Sequence, residues 1–184
     1  MELWQIILIV VLVIIVLFVI ILYNRLVRLK NQVKNAWAQI DVQLKRRNDL
    51  IPNLVETVKG YMKHEKETLE NITKARSAIQ KSQDVKGTAK ASNMLSESLK
   101  SLFAVSENYP DLKASQNFTQ LQEEITGTEN KIAYARQHYN DIVMKYNTKI
   151  EMFPNNLFSR MLGYQKEELF EAEEEERKNV KVSF

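Results

Sequence analysis

Hydrophobic and polar positions fall into distinct regimes along the chain. From Leu3 to Leu22 every residue except Gln5 is apolar. Twenty helical residues span roughly 30 Å, one hydrocarbon thickness, so this stretch predicts a transmembrane helix. Beyond it the apolar positions step by three and four: Leu26, Leu29, Val33, Ala36, Ile40 and Leu44. That is the stripe of an amphipathic helix. Ile51, Val55, Val58, Met62, Leu69, Ile72 and Ile79 repeat the pattern. Asn48 and Asp49 are candidate caps, with Pro52 in a first turn that does not need its N–H. This predicts two helices. One long helix kinked at Pro52 is the alternative, because the apolar register nearly runs through.

The polar run Ser82 to Gly87 predicts a loop, and Ala91, Met94, Leu95, Leu99 and Leu102 a shorter third helix. Asn108-Tyr109-Pro110-Asp111 should end it, since the residue before proline is pushed out of the α region, and Asp111 is a candidate cap. The fourth helix has the clearest signal. Phe118, Leu121, Ile125, Thr128, Ile132, Ala135, Tyr139, Ile142, Tyr146 and Phe153 alternate by three and four until Pro154. Such a helix is roughly 60 Å long at 1.5 Å per residue. A short helix from Asn155 or Asn156 to Leu162, stopped by Gly163, should follow. The pattern ends in a Glu-rich segment and the alternating Val180-Lys181-Val182-Ser183-Phe184.

Amphipathic helices bury their stripes only against one another. The expected fold class is therefore all-α: an N-terminal transmembrane helix, then an antiparallel four-helix bundle with long helices. Residues 1–2 would form a short external N-terminus, 3–22 the anchor and 23–153 the bundle. Residues 154–184 would hold the short helix, the acidic segment and the apolar tail.

Flanking charge gives the anchor an expected orientation. Glu2 alone precedes the span, whereas Arg25, Arg28, Lys30 and Lys34 follow it. The positive-inside rule then places the domain in the cytosol and the N-terminus outside. A cleaved signal peptide would need a basic leading region, a shorter apolar run and a small-residue cleavage site. Residues 23–100 hold 16 Lys/Arg against 8 Asp/Glu, and residues 101–184 hold 10 against 14. A basic half beside the anchor suits an anionic membrane face. Arg25, Arg28, Lys30, Lys34, Lys45, Arg46 and Arg47 are accordingly the candidate lipid or partner contacts, the last three also being candidates to pair with Asp41 and Asp49.

The composition narrows the chemistry. With no Cys and two isolated His, thiol nucleophiles and transition-metal sites have no basis. The residues three before His64 and His138 are Tyr61 and Ala135, not the Glu of a di-metal bundle. No phosphate loop or nucleophile elbow is present. Lys45-Arg46-Arg47 is too short for a nucleic-acid patch. The expectation is a protein that is not an enzyme and has no cofactor, metal or nucleic-acid partner. Tyr139-Asn140 and Tyr146-Asn147 stand seven residues apart, which puts both tyrosines on the core stripe. Core packing with a polar handle is the simpler reading and a polar belt marking a ligand or register site the other. Val182 and Phe184 either dock on a partner or pack along the chain's own bundle, with the second preferred.

These blocks, in this order, resemble the LemA family of bacterial membrane-anchored proteins from Tyr23 to Phe184. The resemblance rests on Ala36-Trp37-Ala38-Gln39-Ile40-Asp41-Val42 and on the run Arg46 to Val55. It continues in Tyr109-Pro110-Asp111-Leu112-Lys113, the run Thr128 to Arg136, the two Tyr-Asn pairs and Phe153-Pro154. It implies an anchored helical bundle in the bacterial inner membrane and no particular activity. Magnetosome-forming relatives imply a role in membrane organisation or envelope maintenance. The expected function is a non-enzymatic scaffold or adaptor, bound to the bilayer through residues 3–22 and to an unknown membrane-associated protein. The alternative is direct anionic-lipid binding and membrane remodelling by the basic first half.

Overall fold

The computed structural model describes residues 2–62 and 65–171. These residues are all-helical, with no strand among them. Six helices follow in order: α1 (Leu3–Lys59), α2 (Lys66–Lys81), α3 (Val85–Ser106), α4 (Pro110–Lys113), α5 (Gln116–Glu151) and α6 (Asn155–Met161).

The apolar segment, the first stripe and the second stripe as far as Val58 are one element, whereas Leu69, Ile72 and Ile79 of the second stripe lie in α2. Helix α1 runs 57 residues without a break, roughly 85 Å at 1.5 Å per residue. Side chains of its first twenty residues are almost all exposed, and the helix is long and apolar enough to cross a membrane. From Leu22 onward a buried stripe takes over through Leu26, Val33, Ala36, Ile40, Leu44, Ile51, Leu54 and Val58.

This corrects the expectation of two helices separated near Asn48 and Asp49. A proline inside a helix removes one N–H and leaves the carbonyl four residues earlier without its partner. Here that carbonyl belongs to Asn48, and Arg76 of α2 donates its Nε–H to it at 3.1 Å. Pro52 itself lies on the exposed face. A side chain from the neighbouring helix thus replaces the missing backbone bond, and the helix continues.

Two other boundaries differ from expectation. Helix α3 starts at Val85, inside the expected loop, because the Asp84 carboxylate accepts the Gly87 N–H at 3.1 Å. A Cβ on Gly87 would lie 2.4 Å from that carboxylate, so glycine serves the cap here, not a loop. Asp111 lies in the first turn of α4, whose cap position is Tyr109, and Ser115 occupies the cap position of α5. Gly163 does stop α6, with φ +71° and the Tyr164 N–H bonded back to the Ser159 carbonyl.

Packing divides into two apolar clusters. One joins the end of α1 (Ile51, Leu54, Val58) to α2, α3, α4 and the start of α5. The other joins Leu26 to Leu44 of α1 with Ile132 to Ile150 of α5. Trp37 meets Tyr139, and Arg47 meets Glu129, so residue numbers rise along α1 as they fall along α5. In the second cluster α3 contributes only its first turns, with Ala89 buried and Val85 packed against it; Phe170, from beyond α6, completes it. Val143 and Ile150 join the α5 stripe, whereas Phe153, expected there, follows the helix end and is 79% exposed.

The Arg76 bridge yields a testable expectation. Arg76→Ala should cost about 1–3 kcal/mol, the range for losing a charged donor to a part-buried carbonyl. In a Pro52→Ala background the Asn48 carbonyl regains a backbone partner, so the same substitution should cost less. Denaturant melts of the four variants check this; equal costs in both backgrounds would refute the bridge.

Candidate functional site

The residues to which the structure gives the most specific geometry are the two Tyr-Asn pairs of α5. After Gly163 the chain turns back and runs without helix or strand along α5, as a strap from Tyr164 to Phe170. A carboxamide carries the same donor and acceptor as a peptide unit. Asn147 uses both: its Oδ1 accepts the Glu167 N–H at 2.9 Å and its Nδ2 donates to the Glu167 carbonyl at 2.9 Å. Asn140 does the same for Phe170, at 2.8 and 3.1 Å. The phenols take two further carbonyls of the strap. Tyr146 donates to Gln165 at 2.9 Å and Tyr139 to Glu168 at 2.8 Å.

The spacing follows from the rise of a helix and the rise of an extended chain. Seven residues of α-helix rise about 10.5 Å, and three residues of extended chain cover about 10 Å. A heptad step on α5 therefore matches a three-residue step on the strap, 147 to 140 against 167 to 170. The strap runs antiparallel to α5 and its backbone is read as a neighbouring strand would read it.

Side chains complete the seat. The Trp37 ring lies 5.6 Å from Tyr139, edge-on, and 6.0 Å from Phe170. Arg136 lies over the Phe170 ring at 5.8 Å and Lys30 over the Tyr164 ring at 5.3 Å. Burial, followed by the Glu167 and Glu168 carboxylates, pushes the Tyr139 hydroxyl up to about 12. Burial and then Glu167 and Tyr164 push Tyr146 up to about 12. Where the strap ends, a cavity of about 390 Å³ opens between Ser92, Glu129, Arg136, Asn140 and Phe170.

The second polar site is Arg47, which the sequence placed among the surface contacts. It is fully buried. Its guanidinium donates to the Ser92 hydroxyl at 2.7 Å, the Ser92 carbonyl at 3.3 Å and the Ser96 hydroxyl at 3.0 Å, and it pairs with Glu129. Ser96 in turn donates to Glu129 at 2.8 Å. Burial pushes Arg47 down from its ordinary value while Glu129 opposes the shift. The partner is thus on α5, not Asp41 or Asp49. The α1 stripe passes through position 47, and a basic residue on an otherwise apolar stripe is the signal that sequence reasoning missed.

The remaining basic candidates are not gathered into one site. Arg25, Arg28, Lys34, Lys45 and Arg46 are exposed along α1, and Lys30 is half-buried over the Tyr164 ring. Lys45 and Arg46 lie within the helix, not at a junction. His138 is exposed; His64, Val182 and Phe184 lie outside the described residues. Among the described residues no group of three His, Asp or Glu side chains converges as a metal site would need.

An all-helical fold with one helix able to cross a membrane, and a domain closed by its own strap, defines the class. The chain belongs to the LemA family, whose model matches residues 36–184. It is 32% identical over 161 residues to Protein LemA of Metamycoplasma hominis, a match covering 87% of this chain and 74% of the relative. It is also 22% identical over 175 residues to Magnetosome proteins MamQ 1 and MamQ 2 of Paramagnetospirillum magneticum. Those matches cover 81% of this chain and 64% of each relative.

Two outcomes test the ladder. Asn147→Ala removes both partners of Glu167 and should lower stability by about 1–3 kcal/mol. Asn147→Asp keeps the acceptor but sets a carboxylate against a carbonyl, and should recover little of the loss. Proteolysis near Gly163, followed by mass, should accelerate in both variants; unchanged cleavage would refute the strap.

The tyrosines add a pH dependence. Ordinary phenols ionise near 10, so between about 10 and 12 the unfolded chain releases protons that Tyr139 and Tyr146 retain when folded. Stability should be fully present below 10 and fall across that window. In Tyr139→Phe/Tyr146→Phe the fall should be shallower, as read by melts at stepped pH.

Proposed function

We propose that this protein is a membrane-anchored, non-enzymatic scaffold or adaptor at the cytosolic face of the bacterial plasma membrane. One observation carries this reading: the apolar segment and the first helix of the domain are the same uninterrupted helix. A domain mounted on its anchor by a continuous helix is held at a set height and attitude, which suits presenting a surface to partners. The domain itself is read as an antiparallel bundle of α1, α2, α3 and α5. The non-enzymatic reading is supported by how the buried polar groups are used. Arg47, Ser92, Ser96 and Glu129 engage one another, and the Tyr-Asn pairs engage the strap. The magnetosome relatives' names fit a role in membrane organisation.

Direct binding to anionic lipid is the second reading, favoured by the exposure of Arg25 and Arg28. Lys34 lies about 18 Å along the helix from Leu22 and Arg46 about 36 Å. The Debye length in physiological salt is about 8 Å. For α1 standing along the bilayer normal, Arg25 and Arg28 therefore feel the surface while Lys45 and Arg46 do not. The lipid reading then rests on the first turns after the span alone.

The chain has no Cys, so a single one at exposed Gln120 reports orientation. Labelling of Gln120→Cys by an impermeant reagent is expected only after permeabilisation; labelling in intact cells would overturn the cytosolic placement. Photo-crosslinking in cells from the same position is expected to trap a discrete protein. Background species alone would count against the adaptor reading.

A further inference from the structure

Helix α6 has its polarity reversed. Asn155 and Ser159, one turn apart, face the domain and are buried. The Ser159 hydroxyl donates to the Ile150 carbonyl at 2.8 Å. Two positions on, the opposite face carries Leu157 and Met161, which are 54% and 82% exposed. Met152 and Phe153 before the helix and Leu162 after it are exposed as well. A surface helix in water buries its apolar stripe and turns its polar face outward. Five large apolar side chains gathered at one corner of a domain mark a surface that meets something other than water.

The corner's position identifies what it meets. Ile150, just before the corner, shares a cluster with Leu26 of α1, and Leu22 at the end of the apolar segment is buried. Tyr164, just after it, stacks under Lys30 and lies close enough to Tyr23 for that phenol to raise its own hydroxyl further, after burial. The exposed apolar corner therefore stands at the level where α1 leaves its apolar segment. Arg25 and Arg28, in the first turns after that segment, and Arg160 of α6 itself are exposed, as suits phosphate headgroups.

We propose that α6, with Met152, Phe153 and Leu162, is a foot that lies in the headgroup–acyl boundary of the same bilayer that α1 crosses. The inference rests on reading Leu3–Leu22 as a span. It is independent of which face of the membrane the domain occupies. An interfacial helix sinks its apolar face about 5–10 Å below the headgroups. Seven residues bind a bilayer weakly alone, but beside a span the effective concentration of membrane is fixed by the tether. With span and foot both seated, the domain is held at two points and cannot tilt away from α6 without lifting the foot out of the boundary.

The test uses the full-length chain in phosphatidylcholine–phosphatidylglycerol vesicles, with one nitroxide on Leu157→Cys or Met161→Cys. Ile14→Cys in the apolar segment and Gln120→Cys on exposed α5 are the references. Collisions with oxygen, which partitions into lipid, are compared with those of a water-soluble nickel chelate. Labels at 157 and 161 are expected to be shielded from nickel severalfold relative to 120, and to lie between 120 and 14 in oxygen access. If 157 and 161 collide with nickel as freely as 120 while 14 stays shielded, the span stands and the foot is wrong. If 14 is also open to nickel, span and foot fall together.

Discussion

Helices α1 and α5 share an apolar seam far longer than the other helices can cover. From Leu26 to Val58 that seam spans roughly 48 Å, whereas α2 and α3 are about 24 and 33 Å long. In water an uncovered half-seam of Leu, Ile, Val and Tyr side chains would forfeit the burial that holds two helices together. The chain meets this constraint by returning. Gly163 reverses its direction, and Tyr164 to Phe170 lie along α5 where α2 and α3 give out. The strap's place in the fold, the Tyr-Asn ladder that grips it and the corner at α6 all follow from that mismatch in length.

Gripping an extended strap on a helix raises a problem that a helix or sheet would solve internally. The strap's N–H and C=O groups have no ladder of their own, and buried backbone groups must find partners. Carboxamides meet the requirement because each supplies one donor and one acceptor in a plane, as a neighbouring strand would. Phenols meet half of it, donating to carbonyls while their rings fill the seam. The surface ion pairs Lys86–Glu168 and Lys166–Glu151 also touch the strap, but exposed pairs contribute little beside four buried-edge side chains.

Much of this was legible because helical stripes are local. The apolar segment, the long α5, the stop at Gly163 and the heptad repeat of Tyr-Asn can each be read from spacing. What escaped depends on residues distant in sequence. Whether Pro52 breaks a helix depends on Arg76, 24 positions away, taking the Asn48 carbonyl. Lys45-Arg46-Arg47 looks like one basic cluster, yet helical geometry turns the third residue 100° from the second and onto the core stripe. The Tyr-Asn repeat pointed first to core packing and only second to a ligand or register site, and a three-residue partner step carries no periodic signature in Tyr164 to Phe170. Phe153 fits the stripe by number and misses it because the helix ends two residues earlier.

Arg47 explains why a seam this long settles in one register. Heptad-like seams of aliphatic residues match themselves after a one-turn slide, so apolar packing alone discriminates weakly among registers. A guanidinium at the joint between the two apolar clusters does not slide freely. In the observed register it meets Glu129 of α5 and the Ser92 and Ser96 hydroxyls of α3. Moved by a turn, about 5.4 Å, the same charge would face aliphatic side chains, and stranding a buried charge costs several kcal/mol. The pair adds little net stability over an apolar substitute of its size, because desolvation offsets most of the attraction. Its contribution is the penalty on every other register. The ladder fixes a different register, that of the strap on α5, where Asn140 and Asn147 meet the backbone of Phe170 and Glu167 only at one offset. One polar lock thus aligns two long helices that apolar burial brings together but does not align, and a second seats the strap that covers their outer half.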